Sequence, residues 1–383
     1  MNPESLPSVR IGCRHAGGNI LVVSVQDNCV TLEQDLRDTS GWWFYWNFSA
    51  VPSVPSGERT VRFEFANGEV VGPWGPAVSE DGVKWRWLGE ACLLSRQAFH
   101  YTFRGGADKV YFSFGLPYQL HHFERFYARI AGRQNVYRDV LTLSEQLRPV
   151  PLLRIGNRNA ERHIVFTARH HACESTPAYM LEGLLDFLLS RDASYVLENF
   201  LLHYIPFMDI DGVENGDQGK SRIPHDHNRD YTDAPIYRST AALMEYAGRL
   251  RTAVAIDFHD PYKWGDRNDV PFFVKRDSPV KEQIEALSGL LEQVSGERSE
   301  EDAIRHLSVH DLGMGEDWNL PHGRACADYF VRAGTPLACS FEFPYFGSGG
   351  IVFTEANSRR FGADFARALE LYLMAADNAA GRS

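Results

Sequence analysis

The sequence predicts two domains of different class. An antiparallel β-sandwich over residues 1–135 is followed by an α/β domain over residues 136–383, with a mixed, mostly parallel sheet flanked by helices. In the first part, short hydrophobic runs alternate with period two and are separated by turn residues, whereas the later chain alternates apolar runs with helical patterns. A length of 383 residues with 44% hydrophobic content is sufficient for two cores.

The first domain is predicted to be a series of short, aromatic-rich strands. Turn signals such as Asn67-Gly68 and Glu80-Asp81-Gly82 separate them, as is typical of sandwiches. The expected strands are residues 20–25, 43–48, 61–65, 85–87, 100–103 and 110–114. Six of the eight tryptophans lie in this half. They suit a carbohydrate-binding platform or, as is more usual for tryptophan at alternating strand positions, the core.

In the second domain, strand-like and helix-like segments alternate. The expected strands are residues 163–168, 201–207, 252–258, 271–274 and 337–342. The expected helices are residues 177–190, 235–250, 280–294 and 355–376. This alternation indicates a mostly parallel sheet covered on both faces. The polar segment 207–234 is longer than an ordinary connection, and such segments in compact domains are usually functional.

The composition narrows the class of protein. A formal net charge of −11 without a basic patch argues against nucleic-acid binding. The longest apolar runs are shorter than a membrane span, and no membrane association is expected. The first residues lack the basic and apolar regions of a signal peptide, and the six cysteines have no C-x-x-C spacing. We therefore expect a cytoplasmic protein with reduced thiols.

His171 and Glu174 form an H-x-x-E sequence between the apolar run 163–168 and an amphipathic helix. In open α/β sheets, ligands collect at the carboxyl ends of strands, which is where this pair is expected. The motif can deliver two metal ligands of different chemistry to one point. A second H-x-x-E, His121 and Glu124, starts a predicted amphipathic helix, where an ion pair on a solvated face is the simpler interpretation.

Three further polar blocks follow the H-x-x-E, at residues 226–229, 257–261 and 340–342. Together with it they indicate a metal hydrolase site, which no single block would establish. Glu342 ends an apolar strand, where a carboxylate is unusual unless it has a function. A structural salt bridge is the alternative for that residue.

These blocks resemble the M14 family of zinc carboxypeptidases, and within it the cytosolic carboxypeptidase branch. The family pattern is H-x-x-E at a strand end, a segment like N-P-D-G-V, then D-x-N-R, a single His after a strand, and a late Glu on the last core strand. In this chain the corresponding residues are 171–174, 209–213, 226–229, His259 and Glu342. The first half is similar to the sandwich that precedes the catalytic domain in that branch. The resemblance thus implies a carboxypeptidase-like α/β domain after a β-sandwich.

The resemblance also implies roles for individual residues. His171, Glu174 and His259 would bind one zinc ion, since two imidazoles and a carboxylate leave a position open for water, as catalytic sites do. Glu342 would be the general base toward a metal-activated water. Asp226 would orient the first His ligand.

Two residues are implied to hold the substrate by its end. Asn228 and Arg229 match the pair that grips the terminal carboxylate in the family, and a guanidinium fork suits a carboxylate bidentately. The branch also has an arginine that polarises the scissile carbonyl. Gly219 stands at that position here, so either Lys220 or Arg222 is the candidate.

Two other departures from the family bear on specificity and reactivity. Ala172-Cys173 replaces the Pro-Gly usual between the His and Glu ligands, which places a thiol beside the site. Relatives that prefer acidic side chains have a basic residue where Ala327 stands, and Arg324 is the nearest arginine. A preference for glutamate tails is therefore not implied.

We accordingly expect a zinc metallocarboxypeptidase that acts on the C-termini of peptides or proteins. One alternative keeps the metal but changes the substrate: an amidohydrolase or deacylase acting on N-acyl amino acids or glutamyl conjugates. Another is a peptide-binding module that has kept the fold and lost the chemistry. Complete metal and base positions argue against the module.

Overall fold

The structure is a computed structural model, and it describes residues 8–53, 57–105, 109–190, 194–277 and 279–380. The chain forms two compact units. The first consists of the described residues up to His122 together with Gly212–Ile223, and the second of Phe123–Asp211 and the described residues from Pro224 onward. The domain boundary predicted between residues 135 and 136 stays a prediction.

The first unit contains two five-stranded sheets. Its strands are β1 (Val9–Gly12), β2 (Leu21–Gln26), β3 (Cys29–Glu33), β4 (Asn47–Pro52), β5 (Arg59–Phe65), β6 (Ala77–Ser79), β7 (Arg86–Trp87), β8 (Leu93–Ser95), β9 (Ala98–Phe103) and β10 (Val110–Ser113). One sheet has the order β1-β4-β10-β6-β7 and the other β2-β3-β5-β9-β8. The pairings are antiparallel except for β3 with β5, which run parallel.

Aromatic side chains from both sheets meet in one core. Phe48 of β4 and Phe112 of β10 each contact Phe63 of β5, with ring centroids 5.4 and 5.3 Å apart. Phe99 of β9 lies 5.6 Å from Phe112. All four are fully buried, because alternate residues of each strand point to the same face. The predicted sandwich is therefore confirmed. Trp46 is also fully buried, and its ring lies 4.8 Å from that of Phe65, which favours the core interpretation for this tryptophan.

Residues 43–46, predicted to begin a strand, are not part of one. Here Gln218 takes the place of a neighbouring strand: its Oε1 accepts from the Tyr45 N–H and its Nε2 donates to the Tyr45 carbonyl, both at 2.8 Å. Asn19 donates to the carbonyl of Gly216 at 2.7 Å. Residues 212–223 thus belong to the first unit through hydrogen bonds to its backbone.

The second unit alternates strands and helices. Its strands are β11 (Val136–Leu143), β12 (Pro149–Gly156), β13 (Arg162–Ala168), β14 (Phe200–Ile205), β15 (Thr252–His259), β16 (Phe272–Val274), β17 (Leu337–Glu342), β18 (Gly347–Ser348) and β19 (Ile351–Val352). The helices are α1 (Leu120–Ile130), α2 (Thr176–Ser190), α3 (Tyr195–Asn199), α4 (Ile210–Asn215), α5 (Arg238–Ala247), α6 (Lys281–Gly296), α7 (Cys326–Arg332) and α8 (Glu355–Ala380). Helices α1 and α4 contain points where the chain passes from one unit to the other.

The main sheet has the order β11-β12-β14-β13-β15-β17-β16. Its four central strands β14, β13, β15 and β17 are parallel, and the pairs at both edges are antiparallel. The predicted mixed α/β fold is confirmed. The predicted strands at 163–168 and 337–342 agree with β13 and β17 to within one residue.

Helices cover both faces of this sheet. The ring of Phe258 in β15 lies 5.7 Å from that of Phe365 in α8, so this residue points toward the layer of α2, α6 and α8. The preceding residue, Asp257, points to the opposite face. There Thr167 of β13 contacts both Asp257, at 2.7 Å, and Cys326 of α7, at 3.6 Å. Polar residues of the central strands therefore face α7.

Within the described residues, no helix is long and apolar enough to cross a membrane.

Candidate metal centre and active site

The H-x-x-E segment lies between the end of β13 and the start of α2. The chain turns at Arg169, which has a left-handed φ of 60°. The turn is held by the guanidinium of Arg169, whose Nε donates to the carbonyl of Ala172 at 3.1 Å. Below it, His171 Nδ1 lies 2.9 Å from Glu174 Oε1. The spacing of three residues therefore places an imidazole and a carboxylate side by side at the carboxyl end of the strand.

His259 completes the cluster from the adjacent strand. It is the last residue of β15, and its Nδ1 lies 2.7 Å from Glu174 Oε2. One ligand atom from each of His171, Glu174 and His259 lies within 4.8 Å of the others, and all three residues are buried. Two imidazole nitrogens and a carboxylate oxygen that converge in this way fit the donor set of a catalytic zinc site.

Each imidazole of the cluster has a carboxylate at its other ring nitrogen. His171 Nε2 lies 3.5 Å from Asp226 Oδ1, and His259 Nε2 lies 2.6 Å from Asp257 Oδ2. Such carboxylates hold a ligand histidine in the tautomer whose other nitrogen is free to bind metal. Asp226, which was predicted to orient the first histidine, thus lies beside it, and its orienting role stays a prediction.

The electrostatic environment of the cluster favours a cation. Burial opposes the charged form of His259, but the carboxylates of Asp257 and Glu174 outweigh it and raise the pKa of this imidazole well above its usual value. Burial and the nearby Glu174 raise the pKa of Asp260, which accepts a hydrogen bond from the Thr176 N–H at 3.2 Å. A divalent cation would neutralise this concentration of negative charge.

Glu342 lies beside the cluster. It ends β17 and is the register partner of His259, so both side chains leave the sheet on the same face. Its side chain is 5% exposed. The structure thus brings the predicted base to the strand next to a predicted ligand.

Asn228 and Arg229 belong to a short 3-10 turn, His227–Arg229, whose start is capped by Asp226. Asn228 is buried; its Oδ1 accepts from the Cys326 N–H at 2.9 Å, and its Nδ2 lies 3.1 Å from His259 Nε2. Arg229 is half-buried, and its Nη1 donates to the carbonyl of Asn228 at 3.0 Å. The turn therefore brings Asn228 against the metal candidate His259, and Arg229 follows it directly in the chain.

Lys220 and Arg222 belong to the first unit and are described only within it. The Lys220 ammonium lies 5.5 Å from the ring centroid of Trp43. Arg222 is buried, with ion pairs of 2.8 Å to Asp38 and to Asp217. The assignment of a carbonyl-polarising role to either residue stays a prediction.

The departures from the family pattern lie in buried surroundings. The Sγ of Cys173 is buried 3.4 Å from the hydroxyl of Tyr345, which agrees with a packing role. Ala327 is buried in α7. Glu124, from the second H-x-x-E, pairs with Arg138 at 2.5 Å, and neither it nor His121 is in a metal-binding cluster of the described residues.

Sequence patterns assigned no role to three residues behind the metal candidates: His170, Asp257 and Tyr231. His170 Nδ1 lies 2.7 Å from Asp257 Oδ1, and its Nε2 lies 2.6 Å from the Tyr231 hydroxyl. Asp257 could have been inferred, because it lies two residues before His259 on the same strand face. His170 and Tyr231 are 61 residues apart, so no local sequence pattern predicts that their side chains are hydrogen-bonded.

Comparisons with known proteins agree with this arrangement. No family model matches the chain. Cytosolic carboxypeptidase 6 of Caenorhabditis elegans is 27% identical over 169 residues, a match covering 40% of this chain and 37% of that protein. Cytosolic carboxypeptidase 4 of Mus musculus is 32% identical over 187 residues, covering 42% of this chain and 17% of that protein. The chain resembles the M14 metallocarboxypeptidases, and among them the cytosolic carboxypeptidases. The matches span well under two thirds of these relatives' own length.

A solved structure extends the likeness to nearly the whole fold. The metallo-carboxypeptidase from Burkholderia cenocepacia superimposes with a TM-score of 0.76, covering 96% of this chain and 99% of that one at 17% identity. At that identity, the likeness supports the metallocarboxypeptidase fold alone.

Proposed function

We propose that this chain is a zinc-dependent metallocarboxypeptidase that removes C-terminal residues from peptides or protein tails. The observation that carries the proposal is the convergence of His171, Glu174 and His259 on one point, with Glu342 on the adjacent strand. Relatives named cytosolic carboxypeptidases support it and also favour a cytoplasmic location.

His171, Glu174 and His259 would hold one zinc ion, and Asp226 would orient His171. Zinc in such a site supplies a Lewis acid and a water with a pKa near 7. Glu342 would accept a proton from the attacking water through its carboxylate and deliver a proton to the amine that leaves. Its position at the end of β17 provides a base that the strand ladder keeps in place.

Arg229 and Asn228 would recognise the terminal carboxylate of the substrate. A half-buried guanidinium binds a carboxylate through two parallel hydrogen bonds, which restricts cleavage to the last peptide bond. Lys220 and Arg222 stay the two candidates for polarising the carbonyl; the Arg222 guanidinium already pairs with the carboxylates of Asp38 and Asp217. The buried Ala327 provides no charge to select an acidic side chain.

The test compares peptides that differ only at their ends. The zinc-loaded protein should release the last residue of an N-acylated peptide that has a free carboxyl terminus. It should leave the same peptide intact when that terminus is amidated. Equal cleavage of both forms would contradict carboxypeptidase action. Hydrolysis of N-acetyl amino acids but not of peptides would instead support the deacylase, and zinc binding without hydrolysis of either would support the binding module.

A further inference from the structure

Behind the metal candidates lies a buried chain of hydrogen bonds. It runs from Tyr231 through His170 and Asp257 to His259. Each of the four side chains is at most 2% exposed. In such surroundings polar groups need partners, and here each group has one.

The direction of these hydrogen bonds follows from the chemistry of the groups. The Asp257 carboxylate can only accept, so His170 Nδ1 and His259 Nε2 must each carry a hydrogen and donate to it, at 2.7 and 2.6 Å. In the neutral ring of His170 the other nitrogen, Nε2, then accepts from the Tyr231 hydroxyl at 2.6 Å. His259 Nδ1 faces Glu174 Oε2 at 2.7 Å, so in the absence of a metal it also carries a hydrogen and donates to that carboxylate; a bound metal ion would take the place of this hydrogen.

Asp257 also has a donor besides the two histidines. Thr167 Oγ1 donates to the same oxygen as His170, Oδ1, at 2.7 Å. With Oδ1 held by two donors, Oδ2 remains directed at His259. If His170 were absent, Thr167 alone would hold Oδ1, and the carboxylate could rotate away from the ligand.

We propose that Tyr231 and His170 are positioning residues, which fix the Asp257 carboxylate and through it the tautomer of His259 that presents Nδ1 to the metal. The inference rests on the proposed function for the assignment of His259 as a ligand. His170 directly precedes His171, the first residue of the H-x-x-E sequence, but its ring acts through Asp257 on His259. The segment that provides two of the proposed ligands would thus also help to position the third.

The same atoms allow a competing interpretation. His170, Asp257 and Cys326 also place ligand atoms within 4.8 Å of one another, as a second metal site would. The two interpretations exclude each other, because a metal there would displace the hydrogen that His170 Nδ1 donates to Asp257, whereas the proposal needs this hydrogen bond. The proposal therefore requires one zinc ion per chain.

The test measures zinc affinity by competition with a chromophoric chelator, and it measures the tautomer of His259 by ¹⁵N NMR of the zinc-loaded protein. Tyr231→Phe removes only the hydroxyl, and His170→Leu removes the whole link. Zinc affinity should fall about tenfold in the first and up to about 100-fold in the second, the range seen for partners of metal ligands. His170→Asn keeps a donor toward Asp257 and should recover part of the loss.

Tyr204→Phe is the matched control. Tyr204 is a buried tyrosine of β14 whose hydroxyl has no hydrogen-bond partner among the described residues. Its variant should keep wild-type zinc affinity. In the zinc-loaded wild type, His259 should carry a hydrogen only on Nε2, and in Tyr231→Phe and His170→Leu this preference should weaken.

Three results would overturn the proposal: unchanged zinc affinity and unchanged His259 tautomer in Tyr231→Phe and His170→Leu, equal losses in the Tyr204→Phe control, or two zinc ions per chain. Failure of the proposed function is separable. A protein that binds one zinc without hydrolysing peptides would refute that function and leave the affinity series valid. A protein that binds no zinc would refute both the assignment of His259 as a ligand and this proposal.

Discussion

His259 and Glu342 are register partners on the parallel strands β15 and β17, each at the carboxyl end of its strand. The Phe343 N–H donates to the carbonyl of His259 at 2.8 Å, which continues the pairing just beyond the two residues. Strand pairing therefore sets the separation between the proposed ligand and the proposed base. This is the kind of rigid support that catalytic groups need.

Glu342→Gln should reduce turnover by about 100- to 10,000-fold, because the amide cannot accept the proton from water. Zinc content and substrate affinity should change little, since the residue is not among the three proposed ligands. The matched control is Glu370→Gln, a glutamate that is equally buried, at 5% exposure, and bonds to Ser194 instead. A Glu342→Gln enzyme with more than half of the wild-type rate would remove this residue from the mechanism.

Removal of the metal should destabilise the protein as well as inactivate it. Zinc at 100 times its dissociation constant should add about 2.7 kcal/mol to the free energy of unfolding. Glu174→Gln should abolish this stabilisation, because a neutral amide replaces the negatively charged carboxylate ligand. Thermal unfolding with zinc, with magnesium and with a chelator measures the effect, and an identical response to zinc in wild type and Glu174→Gln would contradict the site.

Arg229→Ala should damage hydrolysis of free-acid peptides severely. Removing one partner of a charge pair in a partly desolvated site costs about 2–5 kcal/mol. The loss should appear in kcat/KM and be small for peptides that already have an amidated terminus. Arg324→Ala, at an exposed arginine, is the control on a peptide with an apolar last residue. Equal losses on free-acid and amidated peptides would argue against carboxylate recognition by Arg229.

Stability should fall as the pH is lowered through the acid range, in part because of His203. Burial lowers the pKa of this imidazole to about 3. Its ring lies 3.0 Å from His163 Nδ1 and accepts from the Tyr246 hydroxyl at 2.8 Å. The unfolded chain takes up this proton near pH 6.5, before the folded one does. The stability contribution is therefore complete above about pH 6.5 and is lost on acidification from there toward pH 3, by at most about 1.4 kcal/mol per pH unit.

The measurement is the free energy of unfolding from pH 8 to pH 4.5 for wild type and His203→Gln. In the variant, the free energy of unfolding should decline less steeply with acidification, because up to one proton fewer is taken up on unfolding. At pH 8 the imidazole is neutral in both the folded and the unfolded chain, so the difference in unfolding free energy between variant and wild type there measures the packing lost with the histidine ring. Parallel curves would mean that another group causes the acid sensitivity.

The sequence predicted the fold where local patterns are sufficient. The apolar run at 163–168 and the helix pattern from residue 177 correspond to β13 and α2 almost to the residue, because hydrophobic periodicity follows burial directly. Residues 43–46 were predicted wrongly as strand, since their backbone bonds to Gln218, distant in sequence. The parallel pairing of β3 with β5 likewise depends on long-range contact.

The candidate site was predictable to the extent that its residues occur in motifs. His171, Glu174 and His259 follow strands, and parallel strands bring such residues to one edge of the sheet. His170 and Tyr231 stand apart in sequence and meet only in the folded chain. A histidine next to a motif histidine carries no information about which carboxylate it will reach.

The return of residues 212–223 to the first unit constrains how this gene can be divided. A fragment beginning after His122 would keep Gln218 but lose Tyr45, and it would keep Arg222 but lose Asp38. Because the first unit consists of two separate stretches of chain, recombination at a single point in the gene cannot transfer the complete sandwich from one relative to another. An exchange has to carry two separate stretches of coding sequence, so we expect the two stretches to be inherited together.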